Sequence, residues 1–392
     1  MTDSSKISQP VKAPLKDLAL VFLRLGTIAF GGPAAHIAMI DQEIVERRQW
    51  VTRERLLDLI GFTNLIPGPN STELTIHIGY EQAGWRGLIL AGTCFILPAM
   101  LMVWGLAILY THSQNIPQGQ SILYGIKPVI IAIVLQAFWN LGKKAIKDVP
   151  TILGSLGAIF AYFTGFNEVV ALLGIGVIVM VIKARESQPP FWGKKPRLGL
   201  FPLFPLLTFV NSPPDPDKTI NGLQVFLLFL KIGFVLYGSG YVLLAFLQRE
   251  VIDHHQWLTS EQLLDAVAIG QLTPGPLSTT ATFIGYLLAG NMGAIAATVG
   301  IFCPAFLLVR MVNPWVTKLR QSPWAGGFLD GVNGASLGLM VGVTYSLGQT
   351  ALIDGFSLIL SLGSAIAVFR FKINSVWLVL AGGLLGFFIQ GR

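Results

Sequence analysis

Two tripeptides, Pro67-Gly68-Pro69 and Pro274-Gly275-Pro276, interrupt apolar stretches and lead into hydroxyl-bearing runs, Asn70-Ser71-Thr72 and Ser278-Thr279-Thr280. Proline removes backbone donors and stops an incoming helix, while glycine permits the turn. Asn, Ser and Thr are residue types that cap helix starts. Each restart therefore offers amide N–H groups and the positive end of a helix dipole, which together make an anion site. Hydroxyls added to amides suit a tetrahedral oxyanion, which has acceptors pointing in every direction. The candidate ligands are Gly68, Asn70, Ser71, Thr72, Gly275, Ser278 and Thr279.

Three cations fall within apolar stretches, Arg24, Lys127 and Lys231. Charges at membrane depth are costly and mark pathways or paired sites. All three could instead snorkel to the interface, since each lies near the start of its stretch. They are the candidate counter-charges for a dianion. Glu73 follows Asn70 at capping-box spacing, and a carboxylate there could alternatively take up a proton coupled to transport. His36 and His77 are candidate proton shuttles or hydrogen-bonded packing residues. Asp58 and Asp265 are expected to bond across the structure, and Glu46-Arg47-Arg48 to lie in a solvated loop. No metal-ligand or nucleotide-binding spacing occurs, so no cofactor is expected, and no nucleophile–base pair suggests an enzyme.

The elements that must position these residues are membrane helices. Of 392 residues 53% are hydrophobic and 12% charged, about half the charge of a soluble domain. Apolar stretches long enough to cross about 30 Å of hydrocarbon run over roughly 18–40, 87–110, 121–141, 149–165 and 167–183. A second set covers 222–247, 292–312, 325–347, 350–370 and 374–390. No cleavable signal is read at the amino-terminus. The net charge of +7 is spread over short loops, which fits orientation bias and not a nucleic-acid surface. Cys94 and Cys303 fall inside spans out of register, which argues against a disulfide.

The chain repeats itself. Residues 50–58 match 257–265, and Arg24/Lys231, Gly26/Gly233, Gly31/Gly238 and Glu43/Glu250 share the offset of the two Pro-Gly-Pro triplets. Downstream the register slips by one, aligning Gly79-Tyr80 with Gly285-Tyr286 and Pro98-Ala99 with Pro304-Ala305. Lys127 then matches Asn333, which breaks the symmetry. The pieces flanking the first triplet, about 54–66 and 70–82, are each too short to span the bilayer at 1.5 Å per residue. If both Pro-Gly-Pro elements enter and leave on one side, 19 Lys and Arg fall on that chain's cytoplasmic face. Full crossings would scatter five of them outside.

The expected fold is therefore an all-α polytopic membrane protein. It is an inverted-topology tandem repeat, with five transmembrane helices and one re-entrant Pro-Gly-Pro hairpin in each half. The expected divisions are a polar tail at 1–15, repeats at 16–183 and 222–392, and a cytoplasmic linker at 184–221. Paired breaks of this kind at corresponding positions point to a transporter's binding site.

Several long motifs resemble the chromate ion transporter family in its two-domain form. They are Phe30-Gly-Gly-Pro-Ala-Ala-His36, Leu65-Ile-Pro-Gly-Pro-Asn-Ser-Thr-Glu73 and Ile76-His-Ile-Gly-Tyr80. In the second half Tyr237-Gly-Ser-Gly-Tyr241, Gly270-Gln-Leu-Thr-Pro-Gly-Pro276 and Thr280-Ala-Thr-Phe-Ile-Gly-Tyr286 agree, although Tyr237-Gly-Ser-Gly240 departs from Phe-Gly-Gly-Pro. The resemblance covers 16–390. It implies a bacterial inner-membrane protein that exports chromate, or handles isosteric sulfate, with the dianion and the lipid bilayer as partners; a homodimer is compatible. The competing readings are sulfate uptake, a passive anion channel, and a membrane-embedded enzyme acting on lipid phosphates.

Overall fold

The computed structural model describes residues 12–64, 66–113, 116–186, 220–238, 240–313 and 322–390. Every element among them is helical. The first half contains α1 (Leu15–Ile28), α2 (Gly32–Ile40), α3 (Arg53–Thr63), α4 (Asn70–Ser113), α5 (Pro117–Ala145), α6 (Val149–Phe163) and α7 (Glu168–Glu186). The second contains α8 (Gly222–Val235), α9 (Leu243–Leu247), α10 (Ser260–Leu272), α11 (Thr280–Val312), α12 (Pro323–Ala351), α13 (Gly355–Phe371) and α14 (Ser375–Gln390). α2 and α9 each run on into a π-helical turn, Asp41–Arg47 and Gln248–His254. Most of the expected linker and tail, 187–219 and 1–11, lies outside the described residues.

Two expected spans are divided. The stretch 18–40 bends between α1 and α2, where Gly31 and Gly32 have φ of 101° and 78° and Pro33 restarts the helix. The stretch 222–247 bends likewise after α8, at Gly238 with φ 91°. Local apolarity hides such bends, because it is the glycine backbone and not hydropathy that ends the helix.

α4 and α11 are each two helices joined by a reversal. Ala83-Gly84 and Ala289-Gly290 adopt nearly identical non-helical conformations, with Gly φ of 59° in both. A Cβ on Gly79 would run into the Gly87 carbonyl and one on Gly285 into that of Gly293, so the segments fold back against each other. Across the second reversal Thr282 donates to Thr298 over 2.7 Å, because Thr298 gives its own proton to the Ala294 carbonyl.

The helices also exchange partners between halves. α1 packs on α4 and α8 on α11, while α4 and α11 meet each other. Yet α5 packs chiefly on α13 and α14, and α12 on α6 and α7. Gly125 lies against Gly382 and Gly386, and Gly338 against the Ser155 carbonyl, so small residues let these backbones close up. At one end of the bundle Asp330 of α12 binds Lys147 and Lys183, each over 2.6 Å. Asp148 caps α6 through Thr151 and also meets Lys183.

Three helical stretches, Asn70–His112, Pro117–Ala145 and Leu277–Val312, are long and apolar enough to cross a membrane. Trp85, Leu109, Phe160, Ile359 and Phe388 are all more than half exposed on the outer surface. An apolar exterior on this scale is stable only against lipid. The chain is a multi-pass membrane protein.

Candidate functional site

The first Pro-Gly-Pro is the tip of an antiparallel helical hairpin. Arg55 at the start of α3 donates from Nε to Glu81 over 2.7 Å, and Gln82 donates to the Trp50 carbonyl over 2.8 Å. The two ends of the 50–82 segment thus come together, leaving residues 67–69 at the far turn. Gly68 and Gly275 both have positive φ, 145° and 91°.

The two tips are interlocked with the opposite halves. The Gly68 N–H donates to the Leu236 carbonyl over 2.7 Å, and the Gly275 N–H to the Ala29 carbonyl over 2.8 Å. Leu236 and Ala29 are equivalent positions of the repeat, each just before its bend. Reciprocal contacts between equivalent positions are the mark of a two-fold relation. Against expectation, the Gly68 and Gly275 amides are committed to this interface, because buried backbone donors must find partners.

The same Ala29 carbonyl joins the tips. It lies 3.0 Å from His36 Nε2, and His36 Nδ1 lies 3.1 Å from Ser71 Oγ. Only an N–H can serve a carbonyl, so in the neutral ring Nε2 carries the proton and Ser71 donates to Nδ1. Gly275, Ala29, His36 and Ser71 thus form one chain of hydrogen bonds from the second tip to the first. In the second half Leu243 stands where His36 does, and the Ser278 hydroxyl has no partner among the described residues.

Unpartnered polar atoms collect at these helix starts. Thr72 Oγ1, both carboxylate oxygens of Glu73 and Ser278 Oγ are buried without a hydrogen bond to any described residue. Orphaned buried groups in a native fold call for a ligand, a water or a protonation to explain them. Glu73 is wholly buried against Gly68. Its counterpart is Thr280, which bonds the Leu277 carbonyl over 2.7 Å. Thr279 bonds the Pro276 carbonyl over 2.8 Å, and Asn70 donates to Asn64 Oδ1 over 2.7 Å. A small cleft opens between the two bends, lined by Gly31, Pro33, Tyr241, Gln271, Thr273 and Gly275.

The expected counter-charges are placed elsewhere. Arg24 is exposed on the outer face of α1 beside Leu20 and Leu23, because the buried face of that helix carries Leu18, Phe22 and Leu25. Lys231 is bound to Glu250, and Lys127 lies 3.3 Å from Glu261. None of the three is brought to a tip in this conformation. His77 is buried edge-on to Phe62 at 4.7 Å, with Asn313 beside it and neither ring nitrogen in hydrogen-bonding geometry. Asp265 accepts from Tyr110 of the other half over 2.8 Å, a bond across the structure as expected. Cys94 and Cys303 are unpaired thiols. Sequence reasoning missed the Ala29–His36–Ser71 link, since nothing in local spacing shows which carbonyl a histidine meets.

The chain is 33% identical to a probable chromate transport protein of Synechococcus elongatus, over 87% of this chain and 86% of the relative. It is 31% identical to a chromate transport protein of Cupriavidus metallidurans, over 95% and 92%. A chromate transport protein of Pseudomonas aeruginosa is 26% identical, over 99% and 95%. No solved structure matches. The chromate transporter family matches twice, at residues 16–180 and 223–387, the two halves that the repeat delimits. The chain belongs to the chromate transporter family, a family of transporters and not of enzymes.

Proposed function

We propose that this protein carries a tetrahedral dianion, chromate first, across a bacterial plasma membrane. The observation that carries the reading is the interlocked pair of helix starts with orphaned Thr72, Glu73 and Ser278. Asn70, Ser71, Thr72, Ser278 and Thr279 supply hydroxyls and amides to the anion, and Gly68 and Gly275 set the turns that aim them. The two hairpins enter from opposite faces, so the halves rock about one site in alternating access. The linker at 184–221 is cytoplasmic in this arrangement.

Arg24, Lys231 and Lys127 act in a second conformation of that cycle, in which an ion pair such as Lys231–Glu250 opens to the passing anion. Glu73 takes up a proton when the site is occupied, which removes like charge beside a dianion. His36 relays between the tips, and His77 lies on the same hairpin.

Energetics favour export. A dianion leaving a cell that is negative inside gains about 4.6 kcal/mol per 100 mV, twice the single-charge value. Sulfate is isosteric with chromate and fits the same donors, so exchange of the two is the second reading. Chromate flux in proteoliposomes under a set potassium-diffusion potential tests the first. Outward flux should rise as the interior is made more negative; flux indifferent to the potential contradicts a voltage-driven exporter.

A further inference from the structure

The π-helical turns that follow α2 and α9 are equivalent in the repeat, and the partners of their glutamates differ. In the first, Glu43 accepts from Arg47 over 3.2 Å and from Arg48 over 3.0 Å, and Arg48 lies over the Trp50 ring at 5.1 Å. In the second, the same offset puts Glu250, His254, His255 and Trp257 at those four positions. Gln49 and Gln256 close both turns with φ of 53° and 52°, so the backbones agree and the side chains can be compared directly.

A π-helix has more residues per turn than an α-helix, so positions four and five along both stand over the first. Glu250, His254 and His255 thereby offer one ligand atom each, all within 4.8 Å of one another. His255 is held flat on Trp257, with ring centroids 4.4 Å apart. Its Nε2 faces Glu250 Oε2 at 3.9 Å, too far for a hydrogen bond, and its Nδ1 is buried without a partner among the described residues. The other Glu250 oxygen is taken by Lys231. Alongside lies a polar cavity of about 270 Å³ lined by Gly165, Asn167, Glu168, Arg249, Asp253 and His254.

Charge completes the argument. In the first turn one carboxylate meets two guanidiniums, a net of +1. In the second the equivalent carboxylate, Glu250, meets Lys231 and two imidazoles, a net of zero when both imidazoles are neutral. Arg249 stands beside two more carboxylates, 3.8 Å from Glu168 and 3.6 Å from Asp253, which brings the formal charge of the group to −1. A divalent cation among them restores +1.

We propose that Glu250, His254 and His255 form a binding site for a divalent transition-metal ion of the zinc class, apart from the two helix starts. Two imidazoles and a carboxylate are a ligand set for such ions, with a fourth position open to water. Glu250 then bridges the metal through Oε2 and Lys231 through Oε1, tying the turn at the head of the second hairpin to α8.

The test uses full-length protein purified through a tag without histidine, titrated with Zn²⁺ against a chromophoric chelator. One Zn²⁺ per chain should bind saturably, and binding should weaken in acid, because a protonated imidazole is no longer a metal ligand. E250Q and the double variant H254Q/H255Q should lose at least about tenfold in affinity, each 1.4 kcal/mol being tenfold. H112Q, which alters an exposed histidine bound to the Ile108 carbonyl, should bind as the parent does. The double variant H254R/H255R copies the residues of the first turn, so it should keep the fold and bind no Zn²⁺. Absence of saturable binding to the parent, or unchanged binding in folded H254R/H255R, overturns the proposal.

Discussion

The Gly275 N–H donates to the Ala29 carbonyl over 2.8 Å, and the counterpart of this bond in the repeat runs from Gly68 to Leu236 over 2.7 Å. Each hairpin tip is thereby fastened to the bend of the opposite half. A movement of one half against the other must strain or break this pair of bonds, each worth about 1 kcal/mol net. Together they hold the two halves in this arrangement, and breaking both costs only about 2 kcal/mol.

Thr72 and Ser278 separate binding from folding. Their hydroxyls have no partner among the described residues, so T72V and S278A should change thermal stability little or raise it slightly. Oxyanion binding should weaken by about tenfold or more in the double variant, as a hydrogen bond to a charged group contributes about 1.5–3 kcal/mol. Thermal shift with and without sulfate on the purified variants reads both quantities.

His36 is predicted to matter for both. H36A leaves the Ser71 hydroxyl without its ring partner and should cost about 1–3 kcal/mol of stability. Chromate flux should fall with it. Melting curves and flux on the same preparations check this.

Much of this arrangement was legible in the sequence. The Pro-Gly-Pro triplets are local backbone chemistry, and the repeat offset aligned Ala29 with Leu236 before any contact was known. The bends at Gly31 and Gly238 were not, because apolar residues continue through them. The exchange of α5 and α12 between halves was also hidden, since contacts such as Gly125 with Gly382 span the whole chain and leave no periodicity. The cluster of Glu250, His254 and His255 was invisible until the π-turn placed spacings of four and five on one face.

Topology has a direct expectation. With Cys94 and Cys303 replaced by serine, a cysteine introduced at Gln49 should react with a membrane-impermeant thiol reagent only from the cytoplasmic face. One at the equivalent Gln256 should react only from outside. Labelling of both from the same face contradicts opposite insertion of the hairpins.

Gly285 approaches the Gly293 backbone too closely to tolerate a side chain. G285L should cost at least about 1–3 kcal/mol through overpacking and splay the second hairpin. The melting temperature of the purified variant, compared with G348A at a glycine with open space around it, gives the contrast.

Acid should loosen the α6–α7–α12 end of the bundle. Burial works against ionisation of Asp148, but Lys183 and Thr151 outweigh it and hold its carboxyl below the ordinary value. A depressed folded pKa contributes stability that is present above the unfolded value of about 3.9 and is lost as pH falls through the folded one. D148N should therefore lower stability at neutral pH and flatten its decline in acid, read as melting temperature against pH.

The central claim is that the two helix starts hold a transported oxyanion. Counterflow of labelled chromate in proteoliposomes, parent against T72V/S278A at equal reconstituted amounts, tests it most directly. The parent should show uptake driven by unlabelled chromate or sulfate inside the vesicles, and a folded double variant should lose about tenfold or more of it. Equal counterflow in parent and variant would contradict it.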